Sequence, residues 1–230
     1  MTGELSETGT RSPGGVEFDD EAARRRASRR RRVAWLSIAS MSVATLVVLG
    51  SLAFRSARWT ETARRHLEAM HEADGFFAEG SRGRGAPCMG VLVAEKYVPA
   101  SVFLVEPDGR SANAIECHGV PLSHWASGDI PVNFPDLMIE STDRAKPLVT
   151  PGWEALGDFM LRPPLHPDAA TVQAGPLVVG FSRPNPHAPQ RRVVLYSDGT
   201  IERVDDWAAF VTITNAGNAA RGEPPLPNWP

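Results

Sequence analysis

The sequence predicts an α+β protein: an N-terminal transmembrane helix extended by a soluble helix, then a mainly antiparallel β-sheet domain closed by a C-terminal helix. Three observations carry this expectation. Residues 33–54, VAWLSIASMSVATLVVLGSLAF, run for 22 positions without a charge. Just beyond, Trp59, Ala63, Leu67, Met70 and Phe77 recur mostly at three- and four-residue steps, the spacing of a single helix face. From Cys88 onward short apolar runs alternate with turn sequences, the pattern of strands.

The 230 residues are 42% hydrophobic and 22% charged, which excludes both a disordered chain and a multi-pass membrane protein. The net charge of −3 conceals an uneven layout, because residues 1–32 hold six acids and eight arginines, most of the arginines within RRRASRRRR at 24–32. From Arg55 to the end there are 21 acids against 16 bases. A mildly acidic body offers no general basic surface, so nucleic acid is excluded as a partner.

As a helix, the uncharged segment rises about 33 Å, enough for a hydrocarbon core of roughly 30 Å. Arginines crowd its N-terminal flank, whereas Arg55, Arg58, Arg64 and Arg65 on the other side are mixed with Glu61 and Glu68. The positive-inside rule therefore puts the N-terminus in the cytoplasm and the remainder outside, in the periplasm or at the cell surface. Trp35 and Trp59 stand near the two interfaces, where aromatic residues favour the headgroup level. A cleavable export signal ending at Ser51-Leu52-Ala53 is the rival to a retained anchor, but the apolar run exceeds the usual length of such a signal. Either way the lipid bilayer is the first partner, and the body of the chain is exported.

Residues 1–32 lack a hydrophobic period and are expected as a disordered, basic-ended cytoplasmic tail. The transmembrane helix of 33–54 continues as a juxtamembrane helix over 55–79, and the glycine-rich 80–87 makes a flexible linker. Within an exported domain over 88–222, strands are expected at 88–98, 101–106 and 111–117, and irregular loop over 120–147. A short helix follows at 152–161 and a strand at 175–182. VVLYSDGTIERV, residues 193–204, reads as a hairpin on a two-residue Asp198-Gly199 loop, pairing Tyr196 with Ile201 and Leu195 with Glu202. Asp205 then caps a helix that stops near Gly222, and 223–230 form a flexible tail.

A helical anchor, its soluble continuation and a sheet ending in a late Asp-Gly hairpin resemble type IV pilin-like and pseudopilin-like envelope proteins. The likeness is to the group with a histidine ahead of a C-terminal Asp-Gly, matched by His187, Asp198 and Gly199 around the apolar VVLY. Ten residues separate His187 from Asp198, one more than that group's usual spacing. A prepilin peptidase site is lacking, since Arg32 precedes Val33 and Ser37 occupies the place of the expected glutamate. The resemblance thus implies an unprocessed relative that keeps the shape, with envelope proteins or further copies of the chain as partners.

Cys88 and Cys117 bracket the first expected strands on the exported side, where a disulfide persists. Closing that loop stabilises by roughly 3 to 4 kcal/mol in the chain-entropy model; the alternative is a pair of buried thiols. No nucleophile elbow, zinc-protease helix motif, phosphate loop or dinucleotide fingerprint occurs, and no catalytic residue, metal ligand or cofactor is assigned. Cys117 and His118 are neighbours that would point to opposite faces of a strand. Ser123, His124 and Asp129 have nothing to fix a triad geometry. His66 and His71, five apart on a helix, diverge around it, and Asp129, Asp136, Glu140 and Asp143 lack the spacing of a calcium loop.

The functional expectation is a single-pass membrane protein whose extracytoplasmic domain is a scaffold or interaction module. An exported hydrolase or metal-dependent enzyme would instead need His118, His124, Asp129, His166 and His187 to converge. A regulatory protein would use the basic cytoplasmic segment on anionic lipid.

Overall fold

A computed structural model describes residues 15–81, 83–106, 108–128, 152–165 and 175–227. It is an α+β structure. The chain divides into two compact units, Met1–Leu52 and Ala53–Pro230, and helix α1, Gly15–Gly80, contributes to both.

In the first unit every residue from Arg24 onward is exposed, including Leu36, Met41, Leu46 and Leu49. Water does not tolerate such an apolar surface at this length. The helix is long and apolar enough to cross a membrane, with a mean hydropathy of 2.0 over its most apolar window. Helix already begins at Gly15, so the disordered tail expected over 1–32 is corrected from that residue on. The good helix formers Glu, Ala and Arg that fill 21–32 account for this.

The second unit is a five-stranded antiparallel sheet in the order β3-β4-β5-β6-β7 between two helices. Its strands are β3 Glu154–Leu156, β4 Phe159–Leu161, β5 Val178–Ser182, β6 Arg192–Tyr196 and β7 Ile201–Val204. The predicted helical stripe is buried as expected: Trp59, Ala63, Leu67, Met70 and Phe77 belong to one core with Leu161, Val179, Val193 and Leu195. Gly180 lets α1 approach the sheet, since a Cβ there would stand 2.9 Å from Leu161 and 3.5 Å from Leu67. On the other face Met160, Val178, Phe181 and Val194 pack with Trp207, Phe210 and Val211 of α4, Trp207–Ala220. β4 and β6 divide with the period of two of a sheet covered on both faces, while a register shift between Val178 and Gly180 lets β5 send both Val178 and Phe181 to this face. Arg192 lies under that second helix, its guanidinium 4.5 Å from the Trp207 ring centroid, a desolvated cation–π contact.

Polar groups tie α1 to the sheet. Asn185, fully buried, donates from Nδ2 to the Ser56 carbonyl at 2.9 Å and to the hydroxyls of Ser56 and Thr60 at 3.1 Å, and its Oδ1 accepts from the His187 backbone N–H at 2.9 Å. Asn185→Ala should therefore lower unfolding free energy by about 1–3 kcal/mol, the cost of stranding buried partners. Urea denaturation of the full chain in detergent measures it, and an unchanged midpoint refutes it.

Several expected elements differ. Residues 88–98 form helix α2, Met89–Ala94, in place of a strand, and 3-10 turns at Ala100–Phe103 and Ala112–Ala114 replace two more. Only Glu116–Cys117, β1, remains extended, pairing with β2, Val120–Pro121. Helix α3, Leu122–Ser127, opens the stretch expected as irregular; 129–151 lie outside the described residues. The helix expected at 152–161 is the β3–β4 hairpin, turning at Gly157-Asp158 with Gly157 at φ 59°. Glycine first in a two-residue loop suits a type II′ turn.

The late hairpin exists, but its register is one residue from the expected one, with Leu195 opposite Ile201 and Val194 opposite Glu202. Tyr196 N–H bonds to the Thr200 carbonyl and Gly199 N–H to the Tyr196 carbonyl, so the loop has three residues and Gly199, at φ 84°, supplies the left-handed bulge position. The cap of α4 is Asp206, whose carboxylate accepts from Ala209 N–H at 3.1 Å, and not Asp205, which pairs with Arg191 and Arg203.

The linker and the tail are both docked. Asp74, buried in α1, accepts from Ala86 N–H, and Gly85 has no room for a Cβ, which would meet Asp74 at 2.6 Å and Pro164 at 2.7 Å. At the other end Leu226 is buried and its N–H bonds to Asn215 Oδ1 at 2.8 Å, while Glu223 pairs with Arg162 at 2.6 Å. Residues 228–230 lie outside the described ones.

Candidate functional site: a dithiol and an imidazole beside a cleft

The β1–β2 hairpin is built on a two-residue loop, His118-Gly119, with φ of 53° and 73°. Positive φ at both positions is the signature of a type I′ turn. His118 therefore does not continue the strand of Cys117, and the expectation that the pair must diverge is corrected by that turn. The imidazole curls toward Cys88, the N-cap residue just before α2.

Cys88, Cys117 and His118 each place a sulfur or ring nitrogen within 4.8 Å of the other two. Both cysteines are free thiols and buried, whereas His118 is exposed. Gly90 N–H donates to Cys117 Sγ at 3.2 Å, and Trp125 Nε1–H to the Cys117 carbonyl at 3.3 Å. Glu154 at the start of β3 completes the group. Its Oε1 accepts from His118 N–H at 2.9 Å, and its Oε2 stands 3.9 Å from His118 Nε2. That second oxygen is buried and has no hydrogen-bond partner. An open cleft of about 560 Å³ lined by Glu116, His118, Trp153, Glu154 and Pro163 gives access to the cluster.

The electrostatics follow from the contacts. A hydrogen bond from Cys117, then a weaker one from His118, holds the Cys88 thiol below its ordinary pKa against the opposing effect of burial. Cys117, as the donor to Cys88, is pushed up, and burial adds to it. The hydrogen bond to Cys88, followed by the Glu154 charge, raises His118 although burial acts the other way. The group thus combines a thiol whose ionisation is favoured, a second thiol whose ionisation is disfavoured, and an imidazole whose protonation is favoured by its neighbours. Two outcomes are open to such a set: closure of the Cys88–Cys117 disulfide, or capture of a soft cation.

The remaining candidates are dispersed. His187 precedes β6 in the Asn185–Ala188 turn, and Asp198-Gly199 follows β6, so the three pilin-like motif positions flank the two ends of one strand. Asp198 Oδ1 accepts from Thr200 N–H at 2.9 Å, which keeps its carboxyl below the usual range. Gly199 lies against His71, whose ring a Cβ would meet at 2.9 Å, while His66 tilts against Phe159 with centroids 6.2 Å apart. Asp129, Asp136, Glu140, Asp143 and His166 lie outside the described residues, and His124 is exposed on α3. Glu154 and Trp125 were not singled out by sequence, and neither was the His118-Gly119 turn that brings the imidazole to the thiols. Comparison of the chain with family models, with curated proteins and with solved structures returns no match.

Proposed function

We propose that this chain is a single-pass membrane-anchored protein of the cell envelope, oriented with its N-terminus in the cytoplasm, whose extracytoplasmic domain serves as a scaffold or interaction module. One observation carries the reading: α1 is exposed and apolar over residues 33–54 and, from Trp59 to Phe77, contributes to the core of a mixed domain. Lipid is the environment that makes the first part stable, and the packed second part makes the anchor a structural member of the domain. The arginines at 24–32 favour retention of that flank inside. The proposed shape, a helix laid along an antiparallel sheet with a late hairpin, is pilin-like without the processing site, and it suits partners in the envelope or further copies of the chain.

Protease treatment of intact spheroplasts carrying tags at both ends tests this. The expected result is digestion of the C-terminal tag, protection of the N-terminal one and retention of the chain in the membrane pellet after alkaline wash. Digestion of the N-terminal tag alone, or a full-length chain in the soluble fraction, overturns it. Leu46→Arg should move a measurable share of the protein out of the pellet, since an arginine at mid-span costs about 2.5–3.5 kcal/mol of insertion free energy. Unchanged extraction would place Leu46 outside the hydrocarbon.

A further inference from the structure

We propose that Cys88, Cys117 and His118 form a zinc site whose remaining position faces Glu154 and the adjoining cleft. The inference goes beyond membrane anchoring and does not depend on it.

Four observations converge. Two sulfurs and an imidazole nitrogen from three separate points, the start of α2, the end of β1 and the β1–β2 turn, lie within 4.8 Å of one another. Zinc bonds sulfur at about 2.3 Å and nitrogen at about 2.0 Å, so tetrahedral ligands stand roughly 3.3–3.8 Å apart, and side-chain rotation of order 1 Å completes the closure. The orphaned, buried Glu154 Oε2 is the second sign. A desolvated carboxylate oxygen without a donor is costly, and a cation, bound directly or through the imidazole 3.9 Å away, removes that cost. Third, the hydrogen bond from Gly90 N–H to Cys117 Sγ and the one from Trp125 to the Cys117 carbonyl are the outer contacts that orient a ligating thiolate. Fourth, the cleft lined by His118 and Glu154 supplies an entry path.

The ligand chemistry selects the ion. A mixed sulfur, nitrogen and oxygen set suits zinc, whereas calcium and magnesium want oxygen alone and copper(I) favours sulfur-only surroundings. Binding requires both cysteines as thiolates and His118 as the neutral imidazole, so whatever protons these three groups carry pass to solvent, with no change of oxidation state. Three protein ligands and one position facing a cleft make an open coordination sphere, able to take Glu154, water or a ligand entering from the cleft.

The experiment uses the full chain in detergent, reduced with a phosphine, stripped of metal and titrated with cobalt(II) as a spectroscopic probe. Expected are one equivalent bound per chain, a thiolate-to-cobalt charge-transfer band, tetrahedral visible absorption, and displacement of the cobalt by one equivalent of zinc(II). Cys88→Ser and Cys117→Ser should each lose most of the band while far-ultraviolet circular dichroism stays that of the parent. His118→Gln should keep thiolate absorption but change the visible bands, and Glu154→Gln should weaken zinc binding by about 10-fold or more. The proposal is overturned by a folded, reduced chain that gives no charge-transfer band. Visible bands unchanged in His118→Gln, or one metal shared between two chains, overturn it equally.

Discussion

Asp158→Ala should reduce unfolding free energy by about 3–5 kcal/mol, the loss that follows when one partner is removed from a buried ionic group. Asp158 occupies the β3–β4 turn and is fully buried. Its carboxylate accepts from Val105 N–H at 2.7 Å, pairs with Arg110 at 2.7 Å and with Arg183 at 3.0 Å. Its backbone is fixed as well, since its N–H bonds to the Phe103 carbonyl and its own carbonyl accepts from Arg183 N–H. Through its side chain and backbone this one residue joins the 3-10 turn and the Val105 segment after it, the loop at Arg110 and the start of the β5–β6 connection. Asp158→Asn keeps an acceptor for Val105 but removes the ion pair of Arg110 and leaves Arg183 only Asp108, at 3.6 Å, so it should fall between the parent and the alanine variant. Urea titration followed by tryptophan emission measures the series; a loss under about 1 kcal/mol for alanine would contradict the assigned role.

Trp125→Ala should cost a comparable amount, about 3–5 kcal/mol, and should also disorganise the thiol cluster. The indole is 1% exposed and lies flat against Gly90, where an added Cβ would meet ring atoms at 2.5 Å. Gly90→Ala is accordingly an overpacking change worth about 1–3 kcal/mol. Because Trp125 also bonds to the Cys117 carbonyl, its removal should quicken alkylation of Cys117 under native conditions, whereas Phe181→Ala, on the opposite face of the sheet, should destabilise without that selectivity. Equal alkylation rates in parent and Trp125→Ala would break the link between this packing and the cluster.

What could be read from the sequence and what could not divides along physical lines. The membrane-length segment and the buried stripe of α1 were legible because charge exclusion and a helical period persist over many residues. CMGVLVAEKYV was not. A continuous apolar run carries no period, and β-branched residues at Val91 and Val93 favour a strand until packing against Trp125 and the main core decides for helix. Residues 152–161 misled differently, since Glu, Ala, Leu and Met are good helix formers and outweighed the Gly157-Asp158 turn signal. In the late hairpin Asp-Gly was correctly seen as the turn, but a three-residue loop and a two-residue loop share that dipeptide, and the choice between them slips the pairing by one. The thiol cluster depends on contacts between residues 88, 117, 118 and 154, which no local pattern reports.

The outer members of the meander are its shortest or most charged strands: β3 has three residues, and β7 has four with Glu202 and Arg203 exposed. Crowding in two dimensions raises the danger that neighbouring molecules template one another through open backbone groups, and abbreviated, ionic borders are the usual safeguard. Neighbouring molecules would consequently meet through side-chain surfaces, and not by extending each other's sheets.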